Sequence, residues 1–243
     1  MLLYEFLSKY CDPNIEINLT KFIEWGDLTA IGHNKERKDY GRGILLYSIV
    51  KTFKPRTVLE IGTGRGYSTT CIQHAMKSYT KVNITSLDID TIVKPRLHPC
   101  GNVISVEKIL KKTIGNLKEI TFIAQKSHKI LPGMIEEGKT FDFIFIDGSH
   151  KKDYVLFDIE YCLQLISSNG VMVFHDYEYE ETPGVTDAIN EKISDIESKF
   201  DTIKLCSRGN FTEDLSQYIV EEKMGSLVCL PKTSSLNPLP EKS

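Results

Sequence analysis

Apolar positions along the chain change period repeatedly, and each change marks an element. From Tyr40, "YGRGILLYSIVKTF" sets Ile44, Tyr47, Ile49 and Val50 at roughly helical spacing, and Pro55 stops the run. "TVLEI" is a short β-rich run, followed by "YSTTCIQHAM" as a helix and "KVNITSLDID" as a second strand. "ISVEKILKKTIGNL" then predicts a helix, "ITFIAQ" a strand and "SHKILPGMIEE" a short helix. "FDFIFID" has almost no polar interior, as expected of a strand covered on both faces. "KKDYVLFDIEYCLQLISS" carries Val155, Ile159, Cys162 and Ile166 on one stripe, which predicts a helix ended by Asn169-Gly170. "VMVFHD" is the fifth strand and "GVTDAINEKISDIESKF" a further helix. "DTIKLCS" and "GSLVCLP" have no helix between them, so they predict an antiparallel hairpin closing the sheet.

Alternation of strand and helix defines the α/β class, a Rossmann-like doubly wound sheet. The expectation is seven strands, mostly parallel, with the antiparallel hairpin at the C-terminal end. Residues 1–38 read as a helical lead-in or lid, 39–231 as the domain, and 232–243 as a frayed, proline-containing tail. In such sheets ligands sit at the carboxyl ends of the strands. Those ends are Glu60 to Gly66, Asp88, Gln125 to His128, Asp147 to His150, and His175-Asp176.

Charge and cysteine usage narrow the setting. Lys+Arg 30 against Asp+Glu 33 is not the balance of a protein that holds nucleic acid by bulk electrostatics. The lysines crowded between Lys108 and Lys129 read as a solvated helix face. The 6 cysteines lie far apart without metal-binding spacing, as reduced thiols of a cytoplasmic protein would. The start, "MLLYEFLSKYC", lacks a basic lead and a cleavage site, and no run approaches the ~20 apolar residues of a membrane helix. The expected partner is a small molecule, with neither nucleic acid nor membrane, and a homodimer is the oligomer expected.

The segment "TVLEIGTGRGYSTT" carries the chemistry. Gly62, Gly64 and Gly66 follow GxGxG spacing, where a dinucleotide fingerprint reads GxGxxG and a phosphate loop ends in Gly-Lys-Ser/Thr. Glu60 precedes the loop, and Asp88 ends the next strand, where a carboxylate can accept both hydroxyls of a ribose. Read singly, each acid is equally a solvated loop residue.

An acid, GxGxG and an acidic second-strand end together resemble the class I S-adenosylmethionine-dependent methyltransferases. The resemblance covers roughly Asp39 to Lys192 and is closest to the small O-methyltransferases, of the catechol and macrocin types. It implies S-adenosyl-L-methionine as cofactor, held by Glu60, Gly62, Gly64, Tyr67, Ser68 and Asp88, with Gly43 of "DYGRG" beside it. "AQKSHKILP" is similar to the adenine-side segment, which implies contacts from Ser127 and His128. "FIDGSHKKDY" and "VFHDY" resemble the two acidic strand ends, and "PGVTDAINE" the helix start of the sugar-modifying branch. Asp147 is implied at both the cofactor and a metal.

The implied reaction is methyl transfer to a hydroxyl of a sugar or phenol. His150 stands where the catechol enzyme holds a lysine base, and a histidine titrates near working pH. Asp147 and Asp176 match metal ligands, implying a divalent cation, magnesium or manganese, that lowers the acceptor pKa. His175 departs from the catechol pattern, which has a carboxylate there. It either points away or shifts the preference from magnesium toward manganese, iron or zinc. Alternatively no metal is used, and His150 with Asp176 forms the base. Trp25 and Tyr40 read either as acceptor-pocket lid or as packing of the lead-in. Two other functions fit parts of the pattern: a non-catalytic S-adenosylmethionine sensor or partner subunit, and a NAD-dependent oxidoreductase.

Overall fold

The computed structural model describes residues 1–29, 39–79, 81–90, 92–97, 103–206, 209–210, 219–220 and 225–232. Helices α1 (Leu3–Tyr10), α2 (Leu19–Thr29) and α3 (Tyr40–Phe53) lead into β1 (Thr57–Ile61) and α4 (Tyr67–Met76). Strand β2 (Asn83–Asp88) is followed by a small hairpin, β3 (Pro95–Leu97) with β4 (Val103–Ser105). Next come α5 (Val106–Thr113), β5 (Ile120–Ala124), α6 (Ser127–Glu136), β6 (Phe141–Ile146), α7 (Lys152–Leu165) and β7 (Ile166–Tyr177). The chain ends with α8 (Pro183–Lys199), β8 (Phe200–Leu205), the short pair β9 (Gly209–Asn210) and β10 (Ile219–Val220), and β11 (Gly225–Pro231).

The main sheet has seven strands in the order β5-β2-β1-β6-β7-β11-β8. The first five strands in that order run parallel, and β11 runs antiparallel to β7 and β8. The chain winds outward from β1 to β5, then returns to β6 on the other side of β1. That reversal opens a crevice above β1 and β6, and it is where the glycine loop lies.

Two apolar layers cover the sheet. One holds α1 to α5, with Leu3, Phe6, Phe22, Ile44, Ile49, Ile72 and Leu110 buried. The other holds α6 to α8, with Leu131, Ile159, Leu163 and Ile189. Each buried large side chain contributes ~1.5–3 kcal/mol, so the lead-in helices are part of the core. Trp25 stacks on His74 at 4.2 Å, and the Tyr40 hydroxyl donates to Asp27. Both rings are buried in packing. Residues 30–38 and 233–243, with Cys100, lie outside the described residues. Among those described, no helix is long and apolar enough to cross a membrane.

The end of α7 differs from expectation. Helix α7 ends at Leu165, and Asn169-Gly170 lies inside β7 instead of capping the helix. Ile166 already has extended backbone, and it pairs with Phe141. The next pair is Phe143 with Val171, so residues 167–170 bulge out of the ladder. A Cβ on Gly170 would stand 2.6 Å from Ile166 Cδ1, so the Asn-Gly pair shapes this bulge.

Candidate active site

A cavity of about 480 Å³ opens over the ends of β1, β2, β5 and β6. Gly62, Gly64, Asp88, Ser127, His128 and Asp147 line it, so it joins four of the five anticipated strand ends. The Gly62 N–H donates to Leu87 O at 2.8 Å, which folds the loop over β2. Gly62 has φ +99, and a Cβ there would lie 1.9 Å from Asp147 O. Only glycine lets the loop cross β6 this closely. The Gly64 N–H donates to Asp88 Oδ2 at 2.8 Å, so the second-strand acid also fixes the loop.

The remaining residues implied for the cofactor support the cavity from behind. Glu60 is fully buried, and its Oε2 accepts from the hydroxyls of Thr69 (2.6 Å) and Ser86. Burial raises its pKa, while hydrogen bonds from Ser68, Ser86 and Thr69 oppose the rise. Glu60 therefore ties β1, β2 and the first turn of α4 together beneath the loop. Tyr67 donates to Tyr40 O at 3.1 Å, and a Cβ on Gly43 would fall 2.3 Å from its hydroxyl oxygen. Gly43 and Tyr67 are a close-packed pair between α3 and α4.

Beside the cavity, at the ends of β6 and β7, lies a cluster of charges. Asp147, His175 and Asp176 each turn one ligand atom inward, all within 4.8 Å of one another. His175 Nδ1 lies 3.0 Å from Asp176 Oδ1 and 3.3 Å from Asp147 Oδ1. It makes an aligned hydrogen bond with neither. Its Nε2 is 2.9 Å from Asp39 Oδ2. Arg42 Nη1 donates to Asp147 Oδ2 at 2.6 Å, and His150 Nε2 is 3.1 Å from Asp176 Oδ2.

The fields in the cluster are strong. Burial disfavours the His175 imidazolium, but Asp176 and Asp147 outweigh it and hold its pKa well above the usual value. Asp176 is opposed by burial as well, yet His175 and His150 hold it far below the usual carboxylate range. The hydrogen bond to Asp176 raises the pKa of half-exposed His150, against a smaller effect of burial. The loop of His150 is set by α8, because a Cβ on Gly184 would stand 2.5 Å from His150 O.

Several site residues escaped sequence reasoning. Asp39 and Arg42 meet the cluster from 136 and 105 residues away; the "DYGRG" segment that holds them reads as lying beside the cofactor, but for Gly43 alone. Ile89 and Tyr154 line the cavity, and Tyr154 stacks on His128 with ring centroids 5.5 Å apart. Ile89 carried a readable signal: an apolar residue directly after Asp88, left 71% exposed by the fold.

Solved structures share this fold from end to end. An O-methyltransferase of Bacillus cereus, solved in complex with SAH, aligns with a TM-score of 0.59 at 18% identity, covering 93% of this chain and 96% of its own. TomG of Streptomyces achromogenes, an O-methyltransferase of tomaymycin synthesis solved with SAM, aligns at 0.56 and 16% identity, covering 94% and 95%. The fold is the one that these SAH- and SAM-bound O-methyltransferases share. Residues 59–177, from the glycine loop to the end of β7, match the model of a methyltransferase domain. A caffeoyl-CoA O-methyltransferase of Stellaria longipes is 27% identical over 135 residues, 54% of this chain and 50% of its own length. An uncharacterized protein of Acanthamoeba polyphaga mimivirus is 26% identical over 193 residues, 75% of this chain and 82% of its own. The match to the plant enzyme thus spans half of that relative.

Proposed function

We propose that the chain transfers the methyl group of S-adenosylmethionine to a hydroxyl of a small molecule, a sugar or a phenol, in the cytoplasm. One observation carries this reading: Asp147 lines the cofactor cavity and also belongs to the charge cluster. The place where the donor binds is therefore continuous with the place where an acceptor oxygen would be activated. The relatives with assigned chemistry are O-methyltransferases, which supports oxygen as the acceptor atom.

Within that reading the roles divide by geometry. Asp88 accepts the ribose hydroxyls, and the loop from Gly62 to Gly64 admits the methionine part. Asp176 accepts from His150 Nε2, which leaves Nδ1 to take the acceptor proton. The residues present also fit a divalent cation. Asp147 Oδ1, His175 Nδ1 and Asp176 Oδ1 converge, and buried Nδ1 has no aligned hydrogen bond. A cation held there would lower the pKa of the acceptor hydroxyl.

The test is transfer of labelled methyl to a panel of phenolic and sugar hydroxyls, with His150→Ala as the diagnostic variant. Loss of the base should lower turnover by ~10²–10⁴-fold. Unchanged turnover would move that role to another residue. Tight S-adenosylhomocysteine binding with no transfer to any hydroxyl would favour a sensor.

A further inference from the structure

The inward-facing atoms of the cluster are each backed by a different outer partner. Asp147 gives Oδ1 to the centre, while Arg42 holds its Oδ2 at 2.6 Å. Asp176 gives Oδ1, while His150 engages its Oδ2 at 3.1 Å. His175 gives Nδ1, while Asp39 engages its Nε2 at 2.9 Å. Ligating histidines characteristically donate their second ring N–H to a carboxylate, and ligating carboxylates are hydrogen-bonded in turn.

Building on the cation reading above, we propose that Asp39 and Arg42, with His150, form the outer shell of a one-histidine, two-carboxylate metal site, which Asp39 makes selective for a transition-metal ion over magnesium. A cation at the centre would replace the Nδ1 proton of the imidazolium, and the neutral imidazole that results has one N–H. Asp39 is 1% exposed and accepts that N–H at Nε2, so the lone pair belongs to Nδ1. Nδ1 lies 3.0 Å and 3.3 Å from the two carboxylate oxygens. Two donors ~2.1 Å from one ion and at right angles to each other are about 3.0 Å apart, so this is the spacing of adjacent ligands. The His175 side chain is 5% exposed, and its Nδ1 faces both carboxylates without an aligned hydrogen bond to either, so it is an aimed donor within the site and not a neighbour of it.

The backbone explains how two neighbouring side chains of β7 reach one point. Successive side chains of a strand point to opposite faces, so His175 and Asp176 should diverge. Asp176 has φ 59, in the left-handed region that non-glycine residues rarely occupy. That turn brings both side chains to one point at the end of β7, at a cost of ~1–3 kcal/mol met by the surrounding structure. Magnesium prefers an all-oxygen shell and keeps its water, whereas imidazole nitrogen suits manganese, iron, cobalt and zinc better. By taking Asp147 Oδ2, Arg42 keeps that carboxylate monodentate and offsets its charge. The site is thereby less able to hold a hard cation by charge alone.

The experiment is a metal titration of the full chain, stripped with chelator and saturated with S-adenosylhomocysteine. Mn²⁺ binding is followed by EPR, and Mg²⁺ by its competition with Mn²⁺. One Mn²⁺ should bind per chain, on the order of 10²-fold tighter than Mg²⁺. Pulsed EPR should show coupling to one imidazole nitrogen, which His175→Asp removes while it narrows the Mn²⁺/Mg²⁺ gap. Asp39→Asn should weaken Mn²⁺ by ~10–100-fold and leave S-adenosylhomocysteine affinity intact. Equal Mn²⁺ and Mg²⁺ affinities, or Mn²⁺ without nitrogen coupling, would overturn the selectivity. Unchanged Mn²⁺ affinity in Asp39→Asn would overturn the role of Asp39. If that variant does not fold, the wild-type affinity ratio and nitrogen coupling still decide the selectivity. Failure to bind any of these ions would overturn the metal reading itself and leave methyl transfer standing.

Discussion

Asp88→Ala tests the cofactor assignment most directly. The Asp88 carboxylate ends β2 at the rim of the cavity, and its Oδ2 accepts the Gly64 N–H at 2.8 Å. Two ribose hydroxyls meeting this carboxylate would each make a hydrogen bond to a charged group, worth ~1.5–3 kcal/mol. Losing both removes ~3–6 kcal/mol, a ~10²–10⁴-fold weaker dissociation constant for S-adenosylhomocysteine. The variant also loses the tie to Gly64, which costs about 1 kcal/mol of loop order and leaves the fold intact. Isothermal titration reads the affinity, and melting with and without ligand reads the linked stabilisation. The wild type should gain several degrees on binding and the variant little. A variant that binds as tightly as the wild type would show that Asp88, the acid that ends β2, does not hold the ribose.

The glycine loop and a buried acid give two further tests. Gly62→Ala places a methyl 1.9 Å from Asp147 O at φ +99 and should cost ~3 kcal/mol or more. Gly64→Ala, with φ +53 and nothing within 4 Å, should cost only ~1 kcal/mol, so equal urea midpoints for the two would contradict the loop geometry. Burial pushes the Asp158 pKa up to about 6 against an opposing hydrogen bond from Ser127. An acid with a raised folded pKa keeps its proton in the folded state while the unfolded chain ionises. Its contribution therefore falls as pH rises from about 4 to 6, and the cost at neutral pH is about 3 kcal/mol. Asp158→Asn should remove that slope and gain stability at pH ~7.5 relative to pH ~4. Parallel stability-against-pH curves for variant and wild type would refute it.

The alternation of strand and helix was legible because both sheet faces are covered, so each strand is a compact apolar run between turn residues. The five strand ends followed from topology, and the structure brings Gly62, Asp88, Ser127 and Asp147 to one cavity. The Asn169-Gly170 bulge was not legible, because an Asn-Gly pair after a helical stripe has the composition of a helix cap. Only the pairing of Ile166 with Phe141 shows otherwise. Asp39 and Arg42 were hidden for a different reason. Their work is to orient His175 and Asp147, and such contacts across the fold have no sequence period. Glu60 was legible as a conspicuous acid, but its complete burial beneath the loop is a property of the assembled sheet.

The position of β11 has a consequence for synthesis. It is the last strand among the described residues, yet it sits between β7 and β8. Until residues 225–231 leave the ribosome, β7 has an unpaired edge, and that edge includes the apolar run from Val171 to Phe174. The cavity at the strand ends draws on residues 61 to 154 and needs none of this final segment. A nascent chain can thus acquire its ligand-binding half first, while its reactive strand waits for a late partner. Stalled or C-terminally clipped chains should be the aggregation-prone species of this protein, and S-adenosylmethionine bound early would not protect them.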